Sequence, residues 1–152
     1  MERIASFEVD HDFIVPGIYI SRIDGDIVTY DIRTRKPNCG DYMDNITMHS
    51  VEHMLATYLR NGRIGKNIIY FGPMGCQTGF YLLVRGCENG EVTDALRDAL
   101  EKTLSHSGTV FGASRKECGN YLNLSLESAQ NECRRILDIL NNEKNDMIYP
   151  KN

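Results

Sequence analysis

The stretch GIYISRIDGDIVTYDIRT, residues 17–34, decides the fold. Its β-branched and aromatic residues form two runs on either side of Asp24-Gly25. This dipeptide readily supplies the positive φ angles of a two-residue hairpin turn. The stretch therefore predicts an antiparallel β-hairpin near the start of the chain.

Two further β-rich runs follow, at residues 67–71 and 80–85, and they flank the segment GPMGCQTG at residues 72–79. The glycines and the proline of that segment favour sharp bends over a continuing strand. We therefore expect Cys76 to lie on a loop. Strands grouped in this way predict a largely antiparallel sheet.

Three stretches carry apolar residues at helical spacing, and the third follows Ser125, a residue type favoured at the N-cap position. They lie at residues 47–60, 92–104 and 126–140. The pattern predicts an α+β fold of two layers, in which the sheet is packed with amphipathic helices. With no Pro/Ser-rich linker or internal repeat, the chain is expected to form a single domain over residues 1–152.

Composition narrows the classes of function. Seventeen basic and 21 acidic side chains give a net charge of −4, without any Lys/Arg run, so we expect no nucleic-acid partner. The N-terminal segment is charged, and no apolar run is long enough to span a bilayer, so we expect a cytoplasmic protein without a membrane partner. Five cysteines without a C-x-x-C pair favour free thiols or metal ligands over disulfides.

The motif HSVEH at residues 49–53 carries the first chemical signal. On a helix, His49 and His53 stand one above the other, so their imidazoles can share one cation. Glu52 lies beside them and can move protons without being a ligand. The motif indicates a metal site in a metalloenzyme, although two histidines at this spacing also arise by chance as ordinary polar residues.

Two cysteines extend this hypothesis. Cys118 can complete a two-His, one-Cys site, and three protein ligands leave the fourth position open, as in catalytic sites. A small buried thiol is the alternative for Cys118. For Cys76, catalytic and incidental roles are equally compatible with the sequence, because thiol reactivity depends on local surroundings.

Five motifs together resemble the S-ribosylhomocysteine lyase family, which produces the precursor of autoinducer-2. They are SFEVDH at residues 6–11, YDIR at 30–33, HSVEH at 49–53, GPMGCQTGFY at 72–81, and the Cys-Gly pair at 118–119. The resemblance implies a homodimer with active sites at the subunit interface. It also implies one divalent metal per subunit, with iron(II) favoured and zinc as the alternative.

The resemblance further implies a reaction. The family converts S-ribosylhomocysteine to homocysteine and 4,5-dihydroxy-2,3-pentanedione by moving the sugar carbonyl from C1 to C3 and then eliminating the thiol. This chemistry belongs to the activated methyl cycle and to quorum sensing.

Roles carry over by matching positions. His49, His53 and Cys118 resemble the metal ligands, and Glu52 and Cys76 resemble the acid/base pair. The residues that resemble those holding the substrate are Ser6, His11 and Arg33. Cys76 is implied in the early C1/C2 proton transfers and Glu52 in the later steps. Tyr70 departs from the family pattern, because an acidic residue is expected there.

Two other functions stay open at this point. An inverted-motif metallopeptidase would use a downstream glutamate as its third ligand, and Glu127, 74 positions after His53, lies at a suitable distance. That alternative leaves the segment around Cys76 unexplained. A noncatalytic module would instead close its metal site with a fourth protein ligand and would unfold on chelation.

Overall fold

The structure, a computed structural model, describes residues 1–142 and 146–151, and within these ranges it has one four-stranded sheet and three α-helices. The elements, in chain order, are β1 (Gly17–Asp24), β2 (Ile27–Arg33), α1 (Asn45–Arg60), β3 (Ile68–Pro73), β4 (Gly79–Arg85), α2 (Asn89–Ser105) and α3 (Leu126–Asn142). Two short 3-10 helices lie at Ala5–Phe7 and Gly65–Asn67. Every predicted strand and helix is present.

The sheet has the order β1-β2-β4-β3, and each neighbouring pair is antiparallel. The predicted hairpin is therefore confirmed, but its turn lies one residue later than predicted. Asp24 pairs with Ile27, so the two loop residues are Gly25 and Asp26. Of these two loop residues, Gly25 alone has a positive φ, +61°. This matches a type II′ turn, in which the first loop residue alone has a positive φ.

The helices begin where side chains satisfy their free backbone N–H groups. α1 starts two residues before the predicted range because the Asp44 carboxylate accepts a hydrogen bond from the backbone N–H of Thr47. The Ser125 hydroxyl accepts a hydrogen bond from the backbone N–H of Ser128, as expected of a cap. None of the described helices combines the length and the apolar character that crossing a membrane requires.

α1 lies at the centre of the fold and positions the candidate site. It packs against β3, α2 and α3, and its side chains Val51, Met54 and Leu55 are fully buried. Together with buried residues of the sheet they form one core, which confirms the two-layer α+β prediction. Because the apolar stripe faces this core, the HSVEH motif presents its histidines at the edge of the core, where they are half-buried.

Candidate metal centre and active site

Three predicted metal ligands converge at one place. His49 and His53 lie one turn apart on α1, and Cys118 reaches them from the segment between α2 and α3. One ligand atom from each residue lies within 4.8 Å of the other two. The Cys118 Sγ is 3.3 Å from the His49 Nε2. We call these three residues the metal group.

Backbone carbonyls orient both imidazoles. The His49 Nδ1 lies 2.9 Å from the carbonyl oxygen of Asn123, and the His53 Nδ1 lies 2.7 Å from that of Phe111. Because a carbonyl oxygen only accepts hydrogen bonds, each Nδ1 must carry the proton. The lone pair of each ring is then on Nε2, which is free to bind a cation. This partner arrangement is typical of metal-binding histidines.

The segment that carries Cys118 is shaped by a glycine and a turn. Gly112 has φ +68°, and a Cβ placed there would lie 3.2 Å from the His53 Nδ1. The backbone N–H of Cys118 donates to the carbonyl of Ser114, which turns the chain towards α1. The Asn120 backbone N–H donates to the Cys118 Sγ at 3.4 Å, a contact that stabilises negative charge on the sulfur.

The donor set fits a divalent transition metal. Two neutral imidazole nitrogens and one thiolate suit zinc or iron(II), and three protein ligands leave a position for a substrate oxygen. Glu127, the ligand expected for a peptidase, is exposed in the first turn of α3 and is not a member of the metal group. The geometry therefore favours Cys118 over Glu127 as the third ligand.

Glu52 lies next to the metal group without belonging to it. Its Oε2 is 3.9 Å from the His53 Nε2, and its side chain is 37% exposed. A carboxylate at this distance can reach a proton on a molecule bound by the metal group. The structure thus places the predicted base beside the predicted ligands.

Cys76 belongs to a second group, at the end of β2 and on the loop between β3 and β4. The Arg33 Nη1 donates to the Thr78 Oγ1 at 2.8 Å and lies 3.9 Å from the Cys76 Sγ. Asp31 accepts two further hydrogen bonds from Arg33, at 3.1 and 2.6 Å. Burial opposes the charge of Arg33, but the hydrogen bonds and charge of Asp31 hold its pKa above the ordinary value. We call Asp31, Arg33, Cys76 and Thr78 the thiol group.

A cavity of about 300 Å³ opens on the thiol group and brings His11 to it. Its lining residues are His11, Pro37, Asn38, Tyr42, Gly75, Cys76, Gln77 and Thr78. Ser6 is half-buried in the 3-10 helix Ala5–Phe7 and is not part of this lining. Among the described residues, neither the metal group nor Glu52 lines this cavity. The metal group and the thiol group therefore do not share it.

Two members of the thiol group, and two residues that orient the metal group, were not predicted from the sequence. Asp31 and Thr78 each lie two positions from a predicted residue, and side chains two apart on an extended strand share a face. That alternation is the signal that could have found Asp31 beside Arg33. No sequence signal could have identified the carbonyls of Phe111 and Asn123 as partners of the imidazoles, because every residue has a backbone carbonyl.

The remaining cysteines and Tyr70 lie apart from these contacts. Cys133 is buried in α3, and burial raises the pKa of its thiol to about 12. Cys39 is exposed and Cys87 is half-buried. Tyr70 lies on β3 and is 49% exposed, which leaves its side chain accessible to a bound molecule.

Comparison with known proteins agrees with this chemistry. The sequence matches the family described as S-ribosylhomocysteinase (LuxS) over residues 4–147. Similar curated proteins named S-ribosylhomocysteine lyase come from Finegoldia magna (39% identical), Clostridium beijerinckii (40%) and Borreliella afzelii (41%). These alignments cover 99% of this chain and 99% or 100% of each relative. The chain therefore belongs to the S-ribosylhomocysteinase (LuxS) family.

Proposed function

We propose that the protein is a metal-dependent lyase that cleaves S-ribosylhomocysteine to homocysteine and 4,5-dihydroxy-2,3-pentanedione, the precursor of autoinducer-2. The observation that carries the proposal is the convergence of His49, His53 and Cys118 beside the carboxylate of Glu52. Membership of the S-ribosylhomocysteinase family supports the substrate and the reaction. The half-exposed position of Glu52 supports its role as a base, since a substrate can reach it.

The reaction requires protons to be moved along a sugar. A divalent metal held by the metal group would supply a Lewis acid that stabilises the negative charge developing on a substrate oxygen. Cys76 serves the first transfer, in which a proton leaves C2 and a proton is delivered to C1. Glu52 then moves a proton from C3 to C2, which brings the carbonyl to C3.

Elimination completes the reaction. The carboxylate of Glu52 accepts the C4 proton, and the C4–H electron pair forms a double bond to C5 as the C5–S bond breaks. The homocysteine thiolate leaves and takes up a proton. The enol that remains gains a proton at C5 as its C4 hydroxyl loses one, which gives the diketone product. The enzyme makes no covalent bond to the substrate, so Cys76 acts only as a proton shuttle.

Arg33, His11 and Ser6 are proposed to hold the substrate. The Arg33 guanidinium lies 3.9 Å from the Cys76 sulfur, where its charge also stabilises negative charge on that atom. His11 lines the same cavity. Ser6 precedes His11 by five positions on the same N-terminal segment.

A homodimer with active sites at the subunit interface is part of the proposal. One substrate must reach both groups, yet in one chain the described lining of the Cys76 cavity contains no member of the metal group. Exposed apolar side chains lie beside both groups: Tyr42 (46% exposed) lines the Cys76 cavity, and Leu122 (80%) precedes Asn123, whose carbonyl contacts His49. A two-fold dimer would cover such residues and bring the metal group of one subunit to the thiol group of its partner.

The proposal also covers the identity of the metal, the cellular location of the protein and the class of its substrate. We propose iron(II) as the native metal, as the resemblance to the family implies, and zinc as a substitute, since both accept imidazole and thiolate ligands. A cytoplasmic location is supported by the free state of all five cysteines, which suits a reducing compartment. The composition, acidic and without a basic run, supports a small-molecule substrate rather than nucleic acid.

The test is direct. Purified, metal-loaded protein is incubated with S-ribosylhomocysteine, and free thiol is followed with a thiol-reactive dye. We expect one homocysteine for each substrate consumed, and we expect the rate to fall on metal removal and to recover on iron(II) addition. Absence of thiol release from folded, metal-loaded protein would contradict the proposal.

A further inference from the structure

A chain of hydrogen bonds, buried at its centre, connects the C-terminal segment to Cys76. The Tyr149 hydroxyl donates to the Asp31 Oδ2 at 2.7 Å, and the Arg33 Nη2 donates to the same oxygen at 2.6 Å. The Arg33 Nη1 donates to the Thr78 Oγ1 at 2.8 Å. The Thr78 Oγ1 lies 3.0 Å from the Cys76 Sγ. The path runs without a gap from Tyr149 to the sulfur.

The chemistry of these groups determines which one donates each hydrogen bond. A guanidinium only donates hydrogen bonds and a carboxylate only accepts them. The Thr78 oxygen must therefore accept from Arg33, which leaves the hydroxyl hydrogen of Thr78 for the Cys76 sulfur. Burial, together with the charge of Asp31, raises the pKa of the Tyr149 phenol. Tyr149 thus keeps its proton and stays a donor.

Burial of the three central residues keeps water from competing for the hydrogen bonds between them, whereas Tyr149 is half-buried and Cys76 is exposed. Asp31, Arg33 and Thr78 are 1%, 3% and 2% exposed. The ring of Tyr149 stacks on Tyr19 with 4.8 Å between the ring centroids, which holds its hydroxyl against Asp31. Hydrogen bonds in such surroundings are stronger and better oriented than those at a surface.

We propose that Thr78 is a positioning residue whose hydroxyl donates to the Cys76 sulfur, and that Tyr149 anchors the Asp31–Arg33 pair that orients this hydroxyl. The role rests on the proposed use of Cys76 as a proton shuttle. The donated hydrogen bond stabilises negative charge on the sulfur between proton transfers and holds the sulfur towards the cavity.

The test measures the reactivity of Cys76 without requiring turnover. Full-length, metal-loaded protein is treated with iodoacetamide at neutral pH, and alkylation of the peptide containing Cys76 is followed by mass spectrometry. Exposed Cys39 serves as an internal reference. For Thr78→Val, the sulfur loses the hydrogen bond that stabilises its charged, reactive form, so we expect the alkylation rate to fall about threefold.

Two further variants distinguish the effect of losing a hydroxyl from the effect of changing the shape of a side chain. Thr78→Ser retains the hydroxyl, and we expect an alkylation rate close to wild type. Tyr149→Phe keeps the ring but loses the hydroxyl, and it leaves the Cys76 loop untouched. We expect this variant to slow alkylation by about twofold, because Asp31 loses one of its donors.

The alkylation rates of the three variants test the roles of Thr78 and Tyr149 separately. A wild-type alkylation rate in Thr78→Val, or an equal loss in Thr78→Ser, would overturn the role of the hydroxyl. An unchanged rate in Tyr149→Phe would overturn the role of Tyr149. Thiol release from S-ribosylhomocysteine is measured separately on the same samples. Wild-type protein that releases no homocysteine refutes the proposed function, whatever the alkylation rates show.

Discussion

The metal group and the thiol group are held in place by different means. On α1, the imidazoles of His49 and His53 are oriented by backbone carbonyls from the segment between α2 and α3. At the end of β2 and on the β3–β4 loop, the exposed Cys76 instead contacts side chains, chiefly those of Arg33 and Thr78. Backbone partners persist as long as the chain path persists, whereas side-chain partners depend on each residue.

This difference indicates how each group can be disrupted. The metal group is sensitive to its ligands and to changes that move the backbone behind the imidazoles. The thiol group is sensitive to loss of single charges and hydroxyls, because these groups are buried and have few alternative partners. Four predictions, in descending order of expected effect, sharpen this comparison.

Removal of Cys118, the proposed thiolate ligand, has the largest expected effect. Cys118→Ala leaves two imidazoles, and we expect metal affinity to fall by more than about a hundredfold and thiol release to be lost. Metal content is measured after gel filtration. Glu127→Ala is the control, and we expect it to keep the metal and the activity. Loss of metal in Glu127→Ala but not in Cys118→Ala would instead support a peptidase-type site.

Removal of Glu52, the proposed base, has the next largest expected effect. In Glu52→Gln we expect kcat for thiol release to fall about a thousandfold, since a positioned acid/base group contributes about that much, while metal content stays unchanged. Glu101→Gln on α2 is a matched exposed control. Trapped sugars should show late arrest in Glu52→Gln and early arrest in Cys76→Ala. Early arrest in Glu52→Gln contradicts the proposed division of steps.

The segment after β2 is tied to α3 by a buried ion pair. Glu132 accepts two hydrogen bonds from Arg35, at 2.5 and 3.0 Å, and these residues are 4% and 8% exposed. Glu132→Ala leaves a buried guanidinium short of a partner, so we expect the free energy of unfolding to fall by about 3 kcal/mol. Urea unfolding measures it. Asp94→Ala, which breaks an exposed pair with Arg97, should change it by less than about 1 kcal/mol.

The smallest predicted effect tests the backbone behind an imidazole. Gly112→Ala places a methyl group 3.2 Å from the His53 Nδ1 at a φ of +68°, which L side chains rarely adopt. We expect this change to move the Phe111 carbonyl and to weaken metal binding by about tenfold. Competition with a chelator measures the affinity. Gly86→Ala, also at positive φ but with open space around it, is the control for backbone strain alone.

Much of the fold follows from local signals. The helical spacing of apolar residues predicted the three helices found in the described residues, and the β-rich runs predicted their four strands. The hairpin turn was placed one residue early because both Asp24-Gly25 and Gly25-Asp26 suit a turn. The choice between them depends on strand register, which places Asp24 opposite Ile27.

The candidate site was predicted only in part. The spacing within HSVEH predicted that His49 and His53 would share a face, and the chemistry of a thiolate suggested Cys118. Contacts between distant residues could not be predicted, since nothing local pairs Arg35 with Glu132, 97 positions away. The same holds for Tyr149 and Asp31, which are 118 positions apart.

The most direct test asks whether the metal group of one subunit and the thiol group of its partner form one active site. It mixes two variants that are each expected to be inactive. Subunits carrying Cys76→Ala and subunits carrying Cys118→Ala are unfolded together, refolded with iron(II) and assayed for thiol release from S-ribosylhomocysteine. Half of randomly paired dimers are mixed, and each mixed dimer has one intact site if the two groups come from different subunits. We therefore predict about a quarter of wild-type activity. No activity in the mixture, with full recovery of refolded wild type, would contradict a site shared between subunits.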